Sequence, residues 1–201
     1  EILEGLLSGA QRNVLRDKRY ITASGEPIWV RITASVQTDS TGGVDHFIVI
    51  VEDIESRKKS EEKLQQAAAI FRNTGEGVMI TDASTRILDV NDAFVQITGY
   101  SREQVIGQPS NFLKSGRHGG DYYQAMWREI EREGRWSGEI WNRSSNGTVY
   151  PERLTIDSVL SPEGAVSGYV GVFSDITTLK SNEARLNFIA KCSPITDNVR
   201  T

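Results

Sequence analysis

Shifted by 122 residues, the amino-acid sequence falls on itself without a gap, and this constrains the fold more than any single motif. Gly25 lands on Gly147, Arg31 on Arg153, Ile32 on Leu154, Thr33 on Thr155 and Gly42 on Gly164. Phe47 then meets Tyr169, Asp53 meets Asp175, Ile54 meets Ile176, Glu61 meets Glu183, Leu64 meets Leu186 and Ala68 meets Ala190. Isolated pairs arise by chance, but a constant offset over about 45 residues does not. The period is far longer than the units of a solenoid. It marks a duplicated domain, with one copy complete and the other represented by its C-terminal part.

Both copies repeat one order of elements. In the complete copy, Arg135–Arg143 and Thr148–Val159 are rich in aromatic and β-branched residues and predict two strands. Asn146-Gly147 between them predicts a type I′ hairpin turn. A second turn at Pro162-Glu163-Gly164 leads to a strand over Val166–Ser174. The first copy has the counterparts Tyr20–Thr22, Ile28–Val36 and Phe47–Val51, with turns at Ser24-Gly25 and Thr41-Gly42-Gly43.

Only the complete copy has the elements upstream of these strands. Gly77–Asp82 and Ile87–Val90 predict two short strands, and Asn91–Gly99 a short helix stopped by its glycine. Ser101 with Gln104 fits a capping box. Asp121 fits an N-cap for Tyr122–Glu133, whose Tyr123, Met126, Trp127 and Ile130 form one apolar face. Under the same shift, residues 1–13 match this last helix.

After Asp53 and again after Asp175 the pattern turns helical. Positions 54, 57, 61, 64, 68 and 71 alternate by three and four, and Ile176, Leu179, Glu183, Leu186 and Ala190 keep the same register. That spacing suits either a dimeric coiled-coil seam with polar interruptions or a helix packed on its own sheet. A truncated first copy, with three strands and open edges, is expected to need a partner surface or to be partly disordered.

Charge and composition narrow the function. A net charge of −4, with basic and acidic residues interspersed, gives no footprint for nucleic acid or an anionic membrane. The longest strong apolar run, Phe47–Val51, is strand-sized and far short of a bilayer span. The single Cys192 excludes an intrachain disulfide framework and a Cys-rich zinc site. The chain starts at Glu1 with neither Met nor signal peptide, so it reads as a part of a longer polypeptide. There is no triad, metal cluster or phosphate-binding loop, and the carboxylates are expected on solvated helix faces. Gly119-Gly120-Asp121-Tyr122-Tyr123 has the letters of a cyclase signature but opens a helix, not a hairpin. The chain is expected to be no enzyme.

Gly77–Asp82, Asn91-Asp92-Ala93-Phe94, Thr98-Gly99-Tyr100, Gly107, Trp136-Ser137-Gly138-Glu139, Asn142-Arg143, Gly147 and Asp175-Ile176-Thr177 together resemble a PAS domain with its C-terminal PAC segment. Residues 1–56 resemble the end of another. The resemblance implies an α+β fold, a five-stranded antiparallel sheet with helices on one face and a small cavity between them, flanked by signalling helices. It divides the chain into a PAC segment (1–54), a linker helix (55–74), a complete PAS/PAC domain (75–177) and an output helix with the start of an effector (178–201). It assigns signal relay to Asp175, Ile176 and Thr177, and to Asp53 in the first copy, where Glu55 replaces the threonine. A cytoplasmic homodimer, driving an effector in cis without nucleic acid or membrane contact, is the expected setting. Phe188-Ile189-Ala190 and Ser193-Pro194-Ile195-Thr196 resemble the start of a GGDEF diguanylate cyclase, although Asp197-Asn198-Val199-Arg200 departs from its usual continuation.

The ligand stays open among flavin, a small metabolite, an empty cavity and, least favoured, haem. Leu113–His118, Tyr123–Trp127, Trp136-Ser137-Gly138 and Asn142-Arg143 resemble flavin-binding redox sensors of the family. That resemblance implies Trp136 against an isoalloxazine ring and Asn142 at its polar edge, with Ser110 and Phe112 nearby; Trp136 and Trp141 equally suit core and interface. Ser110 stands where blue-light LOV relatives carry their adduct-forming cysteine, and a serine hydroxyl does not replace that thiol. His118, the one imidazole in the complete copy, lies in a polar glycine-rich loop unsuited to haem, and His46 is expected to face solvent. A ligand-free dimerisation scaffold is the alternative to a sensor.

Overall fold

The computed structural model describes residues 13–192. Residues 1–12 of the helix expected over 1–13 lie outside them, as do residues 193–201 of the segment expected to lead into an effector, whereas Asn13 already belongs to a strand. The chain forms two compact units that part between Ala68 and Ala69.

The first unit is a three-stranded antiparallel sheet, β1 (Asn13–Ile21), β2 (Pro27–Thr38) and β3 (Val44–Asp53), followed by helix α1 (Glu55–Asn73). Alternation along β2 puts Val30, Ile32 and Ala34 on one buried face and Arg31 on the other. β3 is an edge strand whose Val49, Ile50 and Val51 are each more than half exposed. His46 on β3 is exposed, as expected. Sequence foresaw only the end of β1, because Arg16-Asp17-Lys18-Arg19 masks a strand that lies at the sheet edge with most side chains in solvent.

The second unit carries β4 (Gly77–Asp82), β5 (Ile87–Val90), α2 (Asp92–Thr98), α3 (Arg102–Val105), a 3-10 turn over Ser110–Leu113, α4 (Gly120–Glu133), β6 (Arg135–Arg143), β7 (Val149–Leu160), β8 (Val166–Asp175) and α5 (Thr177–Cys192). Its sheet runs β5-β4-β8-β7-β6, antiparallel throughout. The core lies between the sheet and the helices, where Phe94 meets Phe173 edge-on at 5.7 Å and Val105, Met126, Ile130, Trp136 and Leu154 close around them. Asn91 holds the start of α2: its Oδ1 accepts from Val78 N (2.8 Å) and Phe94 N (2.9 Å), and its Nδ2 donates to Glu76 O (2.9 Å). The α+β fold expected from sequence is the fold observed.

The repeat is visible bond by bond. Asp17 pairs with Arg31 as Glu139 does with Arg153, and register shifts fall at Gln37/Thr38 and at Val159/Leu160, the same place under the 122-residue shift. Both hairpins close alike, through Gly25 N to Thr22 O (2.9 Å) and Gly147 N to Ser144 O (2.9 Å). The second is not the type I′ turn expected. Gly147 is left-handed (φ 86°) but Asn146 is not, and Asn146 Oδ1 instead accepts from Thr148 N (2.9 Å) and the Ser144 hydroxyl (2.7 Å). Local side-chain bonding thus holds a turn with one left-handed glycine. Asp121 does not cap α4 either: Gly119 occupies that position and Asp121 sits inside the first turn, where a carboxylate favours the helix dipole. The capping residue of α3 is as expected, Ser101 N donating to Gln104 Oε1 at 2.8 Å.

Candidate functional site: a cavity behind the sheet of the second unit

A cavity of about 210 Å³ lies between the inner face of the sheet and α4. Its walls are apolar, with Met79 from β4, Ile140 from β6, Leu154 and Ile156 from β7, Phe173 from β8 and Met126 and Trp127 from α4. Parity brings these together: residues 140 and 142, 152, 154 and 156, and 169, 171 and 173 point to one face of their strands. Its polar lining includes Ser110, Asn111, Asn142 and Glu152.

Glu152 is the chemically distinctive member of that lining. Only 1% exposed, it accepts from Asn142 Nδ2 through Oε1 (2.8 Å), while Oε2 has no hydrogen-bond partner. Burial holds its carboxyl up at about 8, against the opposing influence of the nearby Tyr150 hydroxyl and of the Asn142 amide. The Tyr150 hydroxyl is raised well above the usual range, by burial first and by the neighbouring Glu152 charge second. The expectation that carboxylates sit on solvated helix faces fails here, because Glu152 shares the inner face of β7 with Leu154 and Ile156. In the first unit the shifted position is Val30, buried and apolar.

Glu152 also stands directly across from Asp175, at the junction of β8 and α5. Pro151 O accepts from Ile176 N (3.0 Å), Asp175 Oδ1 accepts from Thr177 N (2.7 Å), and Ile176 is buried. Asp53 Oδ1 likewise accepts from Glu55 N (2.9 Å), and Ile54 N donates to Trp29 O (3.0 Å). The four residues assigned to relay therefore lie at the two equivalent strand-to-helix junctions.

Of the residues proposed to touch a cofactor, Ser110 and Asn142 line the cavity, whereas Trp136 and Phe112 stand outside its lining. Trp136 lies across Gly138 and edge-on to Tyr122 (6.3 Å), in the core under α4. Phe112 packs edge-on against Tyr100 at 5.0 Å. No motif marks Glu152 as a lining residue, and Lys114 and Tyr123 are marked only as members of the flavin-sensor-like stretches Leu113–His118 and Tyr123–Trp127. Lys114 Nζ sits 3.8 Å above the Tyr123 ring, and the Tyr123 hydroxyl is buried without a partner.

His118 has a structural task. Its Nε2 accepts from Trp141 N (3.2 Å) on edge strand β6, and its ring stacks on Tyr122 at 4.2 Å. Burial, helped by the Arg117 charge, lowers its pKa. Only the neutral ring accepts that bond, so its contribution is complete above about 6.5 and is lost as pH falls below it. An NMR titration should place the His118 pKa below about 6.5; a value at or above this would contradict the acceptor role.

An antiparallel five-stranded sheet covered by short helices, with a partly open cavity between them and a strand running straight into an exit helix, is the architecture of a sensory domain. The model of the PAS domain family matches residues 4–56 and 75–178, and the chain belongs to that family. It is 30% identical over 123 residues to the nitrogen fixation regulatory protein of Klebsiella oxytoca, covering 61% of this chain and 25% of that one. It is 33% identical over 92 residues to the aerotaxis receptor of Escherichia coli (strain K12), covering 46% and 18%. The chain thus spans a quarter or less of those relatives. A PAS domain crystal structure from Colwellia psychrerythraea superposes with a TM-score of 0.55 at 28% identity, over 58% of this chain and 98% of that one. An RNA-binding light-oxygen-voltage receptor gives 0.54 at 14% identity over 94% and 85%, a likeness of fold. The second unit is a PAS sensor domain, and no enzymatic domain is evident among the described residues. No helix among them is long and apolar enough to cross a membrane.

Proposed function

We propose that the second unit senses a small planar molecule of the flavin class in its cavity and relays occupancy or redox state through Asp175, Ile176 and Thr177 into α5. The observation that carries this reading is Glu152: a partnerless carboxyl oxygen in the cavity, on the residue paired across the sheet with Asp175. The volume is below the roughly 300–1,000 Å³ of drug-sized sites, which suits a ring system whose remainder leaves past Lys114. Asn142 and Glu152 would orient a polar ring edge, and the apolar walls would exclude water from its faces. A flavin held there would supply a redox-dependent change in charge and hydrogen bonding. The relatives named for nitrogen-fixation regulation and aerotaxis support an environmental cue. Ser110 argues against a cysteine adduct.

On this reading the chain is a tandem array, with residues 1–54 the PAC end of a first PAS domain, 55–74 a linker helix, 75–177 the sensor and 178–201 the way to an effector in a cytoplasmic homodimer. Leu64 on α1 and Leu186 on α5 are 71% and 66% exposed, which favours a dimer seam over packing on their own sheets. The Phe188–Thr196 likeness supports cyclic-di-GMP turnover as output. The test is equilibrium binding of riboflavin, FMN and FAD to the purified protein, read by visible absorbance. One of them should bind, and Asn142→Ala should weaken it about tenfold. Absence of binding by all three to folded protein would sink the flavin reading; a dimer with an empty cavity would support a ligand-free scaffold instead.

A further inference from the structure

The 122-residue shift carries a set of charges with it. Asp17, Arg31 and Lys58 land on Glu139, Arg153 and Lys180, and each trio meets within its own unit. In the first, Arg31 grips Asp17 with two nitrogens (2.9 and 3.2 Å) and Lys58 Nζ reaches the same carboxylate at 3.2 Å. In the second, Lys180 Nζ lies 2.6 Å from Glu139 and Arg153 stands back at 3.8 Å. The carboxylate is on the first strand of the set, the arginine on the second, and the lysine is the fourth residue of the exit helix in both units. Two elements far apart in sequence are thus joined by the same chemistry twice, on the sheet face away from Val30 and Glu152.

The surroundings of the two clusters differ most at the start of the exit helix. Trp29 N donates to Glu55 Oε2 (2.8 Å), and Lys59 supports Glu55 at 3.3 Å, so the start of α1 has a second bond to its sheet. The shifted residues are Pro151 and Thr177, a residue without an N–H facing one without a carboxylate. Among the described residues, Glu139–Lys180 is then the single hydrogen bond or ion pair from an α5 side chain to the sheet.

We propose that the Glu139–Lys180 contact is a releasable clamp that seats α5 on its sheet, whereas in the first unit Glu55 fixes α1 and the matching Lys58 contact is secondary. Release is inexpensive because Arg153 waits beside Glu139: when Lys180 departs, the carboxylate keeps a cation. Asp17 is already satisfied by Arg31, so Lys58 adds little to an α1 that Glu55 holds. This device acts on α5 whatever occupies the cavity.

Hydrogen exchange of the full chain at low ionic strength tests the clamp. Glu139→Lys and Lys180→Glu should each speed exchange in the first turns of α5 about threefold, and the double reversal should restore it. Ionic strength of about 1 M should have the same effect on the unaltered protein, a readout that needs no variant. Asp17→Lys should change α1 less than Glu139→Lys changes α5. Protection of β7 and β8 amides checks that each variant is folded. Unaltered α5 exchange in folded single variants, or in high salt, would overturn the clamp, as would a double reversal that fails to restore it; an equal response of α1 would overturn the fixed-versus-releasable distinction.

Discussion

Glu152→Gln should stabilise the second unit at pH 9 by on the order of 3–5 kcal/mol and change it little at pH 4. The folded protein holds the Glu152 proton up to about 8, whereas an unfolded glutamate releases it near 4.5. Between those values the native state binds more protons than the unfolded one, so stability falls as pH rises across the window. Glutamine keeps the acceptor for Asn142 Nδ2 and has no charge to desolvate, so the variant lacks that loss. Urea unfolding read by tryptophan fluorescence suits the measurement, since three of the four tryptophans lie in this unit. Equal pH slopes for parent and variant would show that Glu152 does not titrate in this window. The result bears on function too, because a ligand at that oxygen must then exchange a hydrogen bond with an acid poised near neutrality.

Gly168→Ala should cost the second unit about 3 kcal/mol, read as a lowered urea midpoint. Gly168 faces Asp82 across the β4–β8 ladder, and a Cβ there would overlap the carbonyl oxygen of Thr81. Backbone on both sides of the contact leaves no side chain to move aside. The shifted position is His46, which tolerates a ring because β3 has no strand beyond it. His46→Ala should therefore change stability by less than about 0.5 kcal/mol. A small effect at Gly168 would mean that β4 and β8 can separate at their ends without loss.

The sheet was legible in the sequence because turns punctuate it. Arg135–Arg143, Gly77–Asp82 and Ile87–Val90 are the strands as read, each bounded by a glycine or polar turn. The start of β1 was not, since four consecutive charged or polar residues resemble a loop until the shift from Arg135 to Asn13 is applied. The cavity was legible only in part. Asn142 and Ser110 came from family likeness and do line it, but likeness alone does not say how deep a tryptophan sits, and Trp136 fills core beside Gly138. Glu152 was readable by parity with Leu154 and Ile156 and by its Val30 counterpart. Its place between a proline and an arginine hides it, since a glutamate in that setting reads as solvated.

The Trp29–Glu55 and Pro151–Thr177 pairs also bear on how such arrays recombine. Each pair is a matched donor and acceptor, or a matched lack of both. A crossover between the copies that falls inside the strand-to-helix segment would set Trp29 against Thr177, stranding an amide, or Pro151 against Glu55, leaving that acid without its donor from the sheet. Inheritance of the middle strand, the last strand and the first helical turn as one block avoids either mismatch. In swapping sensors between proteins, the workable seam then lies within the helix, beyond its first turn, rather than at the visible end of the sheet.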